Sequence, residues 1–175
     1  MAGNLLEVNP VSTITTGFIG QPGRRVFYLQ AHGTDDVVTV IVEKQQVEAL
    51  ATGIEQFLAE LFEKFPDLPE ASADYVASAM QLKVPVDPAF RVGQLGLGYD
   101  QERDLLVLVA QEVVAEGRDP EEAGTVRFFA TRAQMRALGA YGQELVKQGR
   151  PTCGNCGQPL DPEGHFCPRS NGHKH

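Results

Sequence analysis

Lys44-Gln45-Gln46-Val47-Glu48-Ala49-Leu50-Ala51-Thr52-Gly53-Ile54-Glu55-Gln56-Phe57-Leu58-Ala59-Glu60-Leu61-Phe62-Glu63-Lys64-Phe65-Pro66 is the stretch on which the fold turns. Val47, Leu50, Ala51, Ile54, Phe57, Leu58, Leu61, Phe62 and Phe65 recur at spacings of three and four, so one broad apolar stripe faces a core. Glu48, Glu55, Glu60, Glu63 and Lys64 fall largely on the opposite side. The residue before a proline is pushed out of helical geometry, which predicts a helix ending at Phe65.

Upstream of this helix the period changes. Ser12 to Ile19, Arg25 to His32 and Val37 to Val42 are rich in Val, Ile, Thr, Phe and Tyr, which suit a pleated strand. Gln21-Pro22-Gly23-Arg24 suits a type II turn, with proline presetting φ and glycine accepting a positive one, and Gly33-Thr34-Asp35-Asp36 closes the next hairpin. A short leading strand, a three-stranded meander and a helix follow in order.

Downstream the same order returns. Gln46-Val47-Glu48-Ala49-Leu50-Ala51 aligns with Gln134-Met135-Arg136-Ala137-Leu138-Gly139 at an offset of 88 residues. Three apolar stretches precede the second helix: Val92 to Tyr99, Leu105 to Val114 and Thr125 to Ala130. Thr131-Arg132-Ala133-Gln134 starts that helix as a capping box, and Gly139, Gly142 and Gly149 weaken it. Asp67 to Pro88, with a short helical candidate at Ser72 to Leu82, is a structural connector packed across the sheet. The expected architecture is α+β: two strand-strand-strand-helix halves, about residues 1–66 and 89–149, forming a mostly antiparallel sheet with the helices packed on it. Residues 1–150 form this body, and residues 151–175 form a small separate tail.

Composition narrows the class. A chain of 175 residues with 42% hydrophobic and 22% charged residues is an ordinary globular protein, able to bury roughly 70% of its unfolded surface. No apolar run reaches the roughly 18 to 20 residues of a membrane span, and Met1-Ala2-Gly3-Asn4-Leu5-Leu6-Glu7 lacks the layout of a signal peptide, so a cytoplasmic protein is expected. The formal charge of −8 disfavours gripping a phosphate backbone over the whole surface.

The tail holds the strongest chemical signal. All three cysteines lie in Cys153-Gly154-Asn155-Cys156 and His165-Phe166-Cys167. An odd count argues against a disulfide framework, whereas Cys-x-x-Cys with a later His-x-Cys supplies four donors of the kind that hold structural zinc. Glycines after both cysteines of the pair allow the sharp turns of a zinc knuckle, and the ion replaces the core that so short a segment lacks. Cys153, Cys156, His165 and Cys167 are therefore the expected Zn²⁺ ligands, with His173 and His175 as competitors for the fourth position. A thiol redox pair is disfavoured because the flanking residues do not form a strand-to-helix junction. Lys147, Arg150, Arg169 and Lys174 outnumber Asp161 and Glu163, but Phe166 is the only aromatic in the tail, a poor basis for stacking nucleic-acid bases.

Elsewhere the signals are weaker. Gly17-Phe18-Ile19-Gly20-Gln21-Pro22-Gly23-Arg24-Arg25 suggests an anion site, yet it joins strand to strand without the helix N-terminus that phosphate loops exploit. Asp100, Glu102 and Asp104 alternate near a turn and are read as a charged hairpin tip ahead of a cation site. None of the four serines occupies a nucleophile elbow.

Gly20-Gln21-Pro22-Gly23, Arg25-Val26-Phe27-Tyr28-Leu29-Gln30-Ala31, Glu43-Lys44-Gln45-Gln46-Val47 and Cys153 through Gly172 together resemble a bacterial domain-of-unknown-function family of the DUF 3090 type, over the whole chain. Members of that family often end in Asn-Gly-Tyr where this chain has Asn171-Gly172-His173, which favours His165 over His173. They are often encoded beside a kinase-like and a histidine-phosphatase-like protein, so the resemblance implies a regulatory or adaptor setting and supplies no catalytic residue. The expected function is a cytoplasmic interaction or regulatory protein with a protein partner and a zinc-stabilised tail. The competing class is an enzyme or binding protein for a small anionic or phosphorylated ligand, with Arg24 and Arg25 at its site.

Overall fold

The computed structural model describes residues 4–21 and 23–148 of the chain. Seven strands and two long helices follow one another as β1 (Leu5–Val8), β2 (Thr13–Ile19), β3 (Val26–His32), β4 (Val37–Val42), α1 (Lys44–Lys64), β5 (Pro88–Asp100), β6 (Leu105–Glu112), β7 (Thr125–Thr131) and α2 (Arg132–Lys147). The expected zinc-binding tail, with Cys153, Cys156, His165 and Cys167, lies outside the described residues.

Both helices start and stop where local chemistry dictates. Phe65 is the C-cap of α1, immediately before Pro66. In α2 the Thr131 hydroxyl accepts from the Gln134 amide at 3.0 Å, and Gln134 Oε1 accepts from the Thr131 amide at 2.9 Å, so the capping box forms. At the head of α1, Gln46 Oε1 accepts from the Glu43 amide at 2.7 Å. The two glutamines, first residues of the aligned segments, also reach outward alike: Gln46 Nε2 donates to the Val92 carbonyl and Gln134 Nε2 to the Ser12 carbonyl.

The sheet order is β1-β7-β6-β5-β4-β3-β2, and the sheet is mixed, which corrects the expectation of a mostly antiparallel one. Ladders β2–β3, β3–β4, β5–β6 and β6–β7 are antiparallel; β4–β5 and β1–β7 are parallel. The cause of the parallel β4–β5 pair is the crossover between the two meanders. Three strands finish running in the direction in which they began, and α1 carries the chain back to start β5 beside β4, so the junction is parallel. β1 lies against β7 as β5 lies against β4.

This sheet is curled. Its two edge strands, β1 and β2, are joined by only four residues, Asn9 to Ser12. Those residues reach at most about 18 Å from Val8 to Thr13, whereas six strand spacings in a flat sheet cover about 29 Å. Adjacent amides record the closure: Val11 donates to Phe129 of β7 at 2.7 Å, and Ser12 to His32 of β3 at 2.7 Å.

Both helices fill the concave face. Leu29, Ala31, Val40, Leu106, Leu108, Ala110, Val126, Phe128 and Ala130 alternate along the strands and meet Val47, Ile54, Met135 and Leu138, all buried. Of the glycines expected to weaken α2, Gly139 and Gly142 have a packing role, and Gly149 lies outside the described residues. A Cβ on Gly139 would lie 3.3 Å from the Ala51 Cα, and one on Gly142 would lie 2.9 Å from Val47 Cγ1 and 3.4 Å from Thr16 Cγ2. Their absence lets α2 press against both α1 and β2.

The connector between α1 and β5 crosses the outer face of β2 and β3 as a strap. Thr15 donates to the Met80 carbonyl at 2.6 Å, while Gln30 exchanges two bonds with the Lys83 backbone at 2.8 and 3.1 Å and a third with Thr39. Buried Thr15, Gln30 and Thr39 are thereby satisfied. The helix expected over Ser72 to Leu82 shrinks to a 3-10 turn at Ala77–Met80, without a side-chain cap. The Met80 carbonyl of this turn and the Lys83 backbone beyond it serve the sheet.

Because Gly142 is filled against two neighbours, Gly142→Val should lower stability by about 1–3 kcal/mol through overpacking. The expected readout is a lower urea midpoint with an unchanged slope.

Candidate functional site

Two charged clusters stand out, and their internal balance separates them. The first surrounds a concavity of about 230 Å³ lined by Gly23, Arg25, Val26, Phe27, Ile41, Val42, Glu43, Lys44 and Arg91. Hairpin pairing of β3 with β4 and the parallel ladder Ile41–Arg91 bring these residues together from three segments far apart in sequence. The Gly23 turn itself has the geometry expected of it, with φ at +82° and the Arg24 amide bonded to the Gln21 carbonyl at 2.9 Å; Pro22 lies outside the described residues. Arg25 stacks on Phe18, its Cζ 4.1 Å from the ring centroid, and donates through Nη1 to the Gln148 carbonyl. Its Nε is buried with no partner among the described residues. Arg91 pairs with Glu43 at 2.7 Å, both side chains half exposed. Lys44 opens α1, whose first turn carries no acidic residue.

The second cluster lies where α2 meets the strap. Arg132 holds Asp104 by two bonds at 2.9 and 3.0 Å and reaches the Pro69 carbonyl at 2.6 Å. One turn later Arg136 grips Glu55 the same way and reaches the Ala71 carbonyl at 2.6 Å. The guanidinium of Arg132 holds the Asp104 carboxyl below its usual range, and burial pushes the Tyr99 hydroxyl, which donates to Asp104 at 2.7 Å, upward. These arginines border a groove of about 430 Å³ with Leu58, Leu61, Phe62 and Leu68, but every one of their charges is matched by a carboxylate. Their work is to fasten the strap and α1 to α2.

Other sequence candidates are placed as follows. Asp100 pairs with Arg103 at 2.8 Å and Asp104 with Arg132, so the hairpin-tip reading of Asp100, Glu102 and Asp104 holds. Among the described residues no group of three or more His, Cys, Asp or Glu is arranged to hold a metal. Arg24 is not among the residues lining the concavity; Arg25 is.

Residues 6–167 match the model of a family described as "Protein of unknown function (DUF3090)". The chain belongs to that family. Neither a curated protein nor a solved structure matches it. The matched span of this DUF3090 member ends at Cys167, so it contains Cys153, Cys156 and His165 and leaves out His173 and His175. No helix among the described residues is long and apolar enough to cross a membrane.

Lys44 and Arg91 were missed by sequence reading, because only strand pairing puts them beside Arg25. One local signal was present: Lys44 at the first position of a helix, with no acid in the turn after the N-cap Glu43, runs against the usual dipole preference.

Arg132→Ala should cost about 1–3 kcal/mol at neutral pH, since Asp104 and the Pro69 carbonyl both lose a charged donor. A carboxyl with a lowered folded-state pKa contributes stability that is complete above its unfolded value, near 4, and is lost as pH falls through the folded value. Urea titrations should show the gap between wild type and variant narrowing as the medium is acidified below about pH 4. A gap independent of pH would assign the loss to the Pro69 bond alone.

Proposed function

We propose that this protein is a cytoplasmic interaction or regulatory protein whose C-terminal segment binds a structural zinc ion through Cys153, Cys156, His165 and Cys167 and is recognised by a protein partner. The observation that carries the reading is the donor set itself: three thiols and an imidazole within 15 residues of a chain that has no other cysteine. The end of the family match at Cys167 supports His165 over the later histidines. A closed set of four donors leaves no open position for substrate, which favours a binding role over a catalytic one. The full complement of ion pairs around Arg132 and Arg136 is consistent with a rigid body that presents such a segment.

A second reading, a binding protein or enzyme for a small anionic or phosphorylated ligand, is favoured by one observation: Arg25, Lys44 and Arg91 surround one concavity with Glu43 as the single opposing carboxylate.

Elemental analysis of reductant-protected protein should find about one zinc per chain. Cys156→Ser should abolish retention, and His173→Ala should not. Chelation should leave the body's thermal transition nearly unchanged, since all four donors follow α2 in sequence, and should abolish binding to a partner that reads the tail. Metal-free protein would refute the zinc reading. A catalytic turnover that disappears on chelation while the body stays folded would replace the adaptor with a zinc enzyme.

A further inference from the structure

We infer that the concavity at the head of α1 is a binding site for a phosphate-type dianion, held by Arg25, Lys44 and Arg91. The inference gives the second reading a place in the fold and is independent of zinc.

Its basis is a local charge imbalance. In a chain of formal charge −8, three cations share one concavity of about 230 Å³ with a single carboxylate. The start of a helix carries a partial positive charge, which the first turn of a typical helix offsets with Asp or Glu. α1 has Lys44 at its first position and no acid in its first turn, so the carboxylate at its start is that of the N-cap Glu43, which is already shared with Arg91.

The geometry suits an oxyanion. Sequence reading set the Gly17–Arg25 segment aside for want of a helix N-terminus, and the fold brings one, because β4 runs beside β3 and delivers the head of α1 to the Arg25 end of β3. The first amides of any helix have no acceptor within it and point out along its axis, toward an anion placed there. Arg25 is fixed in advance: Phe18 supports its guanidinium, Gln148 accepts from Nη1, and Nε has no partner among the described residues. A planar guanidinium held in this way is suited to paired bonds with phosphate oxygens. Among the described residues Arg91 is held by Glu43 alone, in an exposed bridge of the kind that contributes little, so an incoming dianion can draw it away. Glu43 is then the internal competitor of the ligand. A polyanion is disfavoured, since the body around the concavity is acidic overall.

The test is titration of the full-length, isotope-labelled protein with inorganic phosphate at constant ionic strength, read from backbone amide shifts. Saturable shifts centred on Lys44, Gln45 and Arg25 to Phe27 are expected, with sulfate competing and acetate binding more weakly. Arg91→Gln should weaken binding at least about tenfold. Glu43→Gln keeps the side-chain volume and should tighten it, an effect that a merely structural Glu43–Arg91 pair would not produce. If Arg91→Gln does not fold, Lys44→Gln and Glu43→Gln carry the test. Shifts that do not saturate, or an affinity unmoved by Glu43→Gln, overturn the site. Saturable shifts centred elsewhere also overturn it, while leaving the anion reading itself standing.

Discussion

Two neighbouring amides bind the structure together. Val11 donates to β7 and Ser12 to β3, so one peptide step joins regions that a flat seven-stranded sheet would hold far apart. The linker is too short to allow anything else, and the curl it enforces creates the concave face in which the core forms. Val8 and Val11 are buried at this seam, and a Cβ on Gly33 would lie 3.2 Å from Val8 Cγ1. Helix α2, anchored to Ser12 through Gln134, packs against β2 as well as β6 and β7 because the curl brings them to it.

The same translation from strand to strand explains why the two halves solve the same problems with the same residues. Gln46 and Gln134 each close a helix N-terminus and each reach a carbonyl on the segment that lies beyond the preceding meander. For the first half that segment is β5; for the second it is the stretch following β1, which returns from the other end of the chain. Chain order and spatial order part company there.

Charge is distributed in two ways. Around the strap, arginines and carboxylates are matched and each arginine also holds a carbonyl, so the cluster is mechanical. At the head of α1, cations converge with one exposed carboxylate among them, and Arg25 has a buried Nε without a partner among the described residues. The difference lies in the partners and not in the residue types, since both clusters are built on arginine.

What the sequence determined by itself was local. The three- and four-residue spacing from Val47 to Phe65, the stop at Pro66, the Thr131–Gln134 cap and the positive φ of Gly23 are consequences of near neighbours along the chain, and each is where its residues place it. The four-donor pattern from Cys153 to Cys167 is equally local. What only the tertiary structure decided was relation between distant segments: two parallel ladders, the curl, the strap in place of a helix at Ser72 to Leu82, and the meeting of Arg25, Lys44 and Arg91. Periodicity tells which face of an element is buried but carries no information on which element covers it. Strand partners are chosen by closing the sheet around one core, a condition on the whole chain that no window of residues contains.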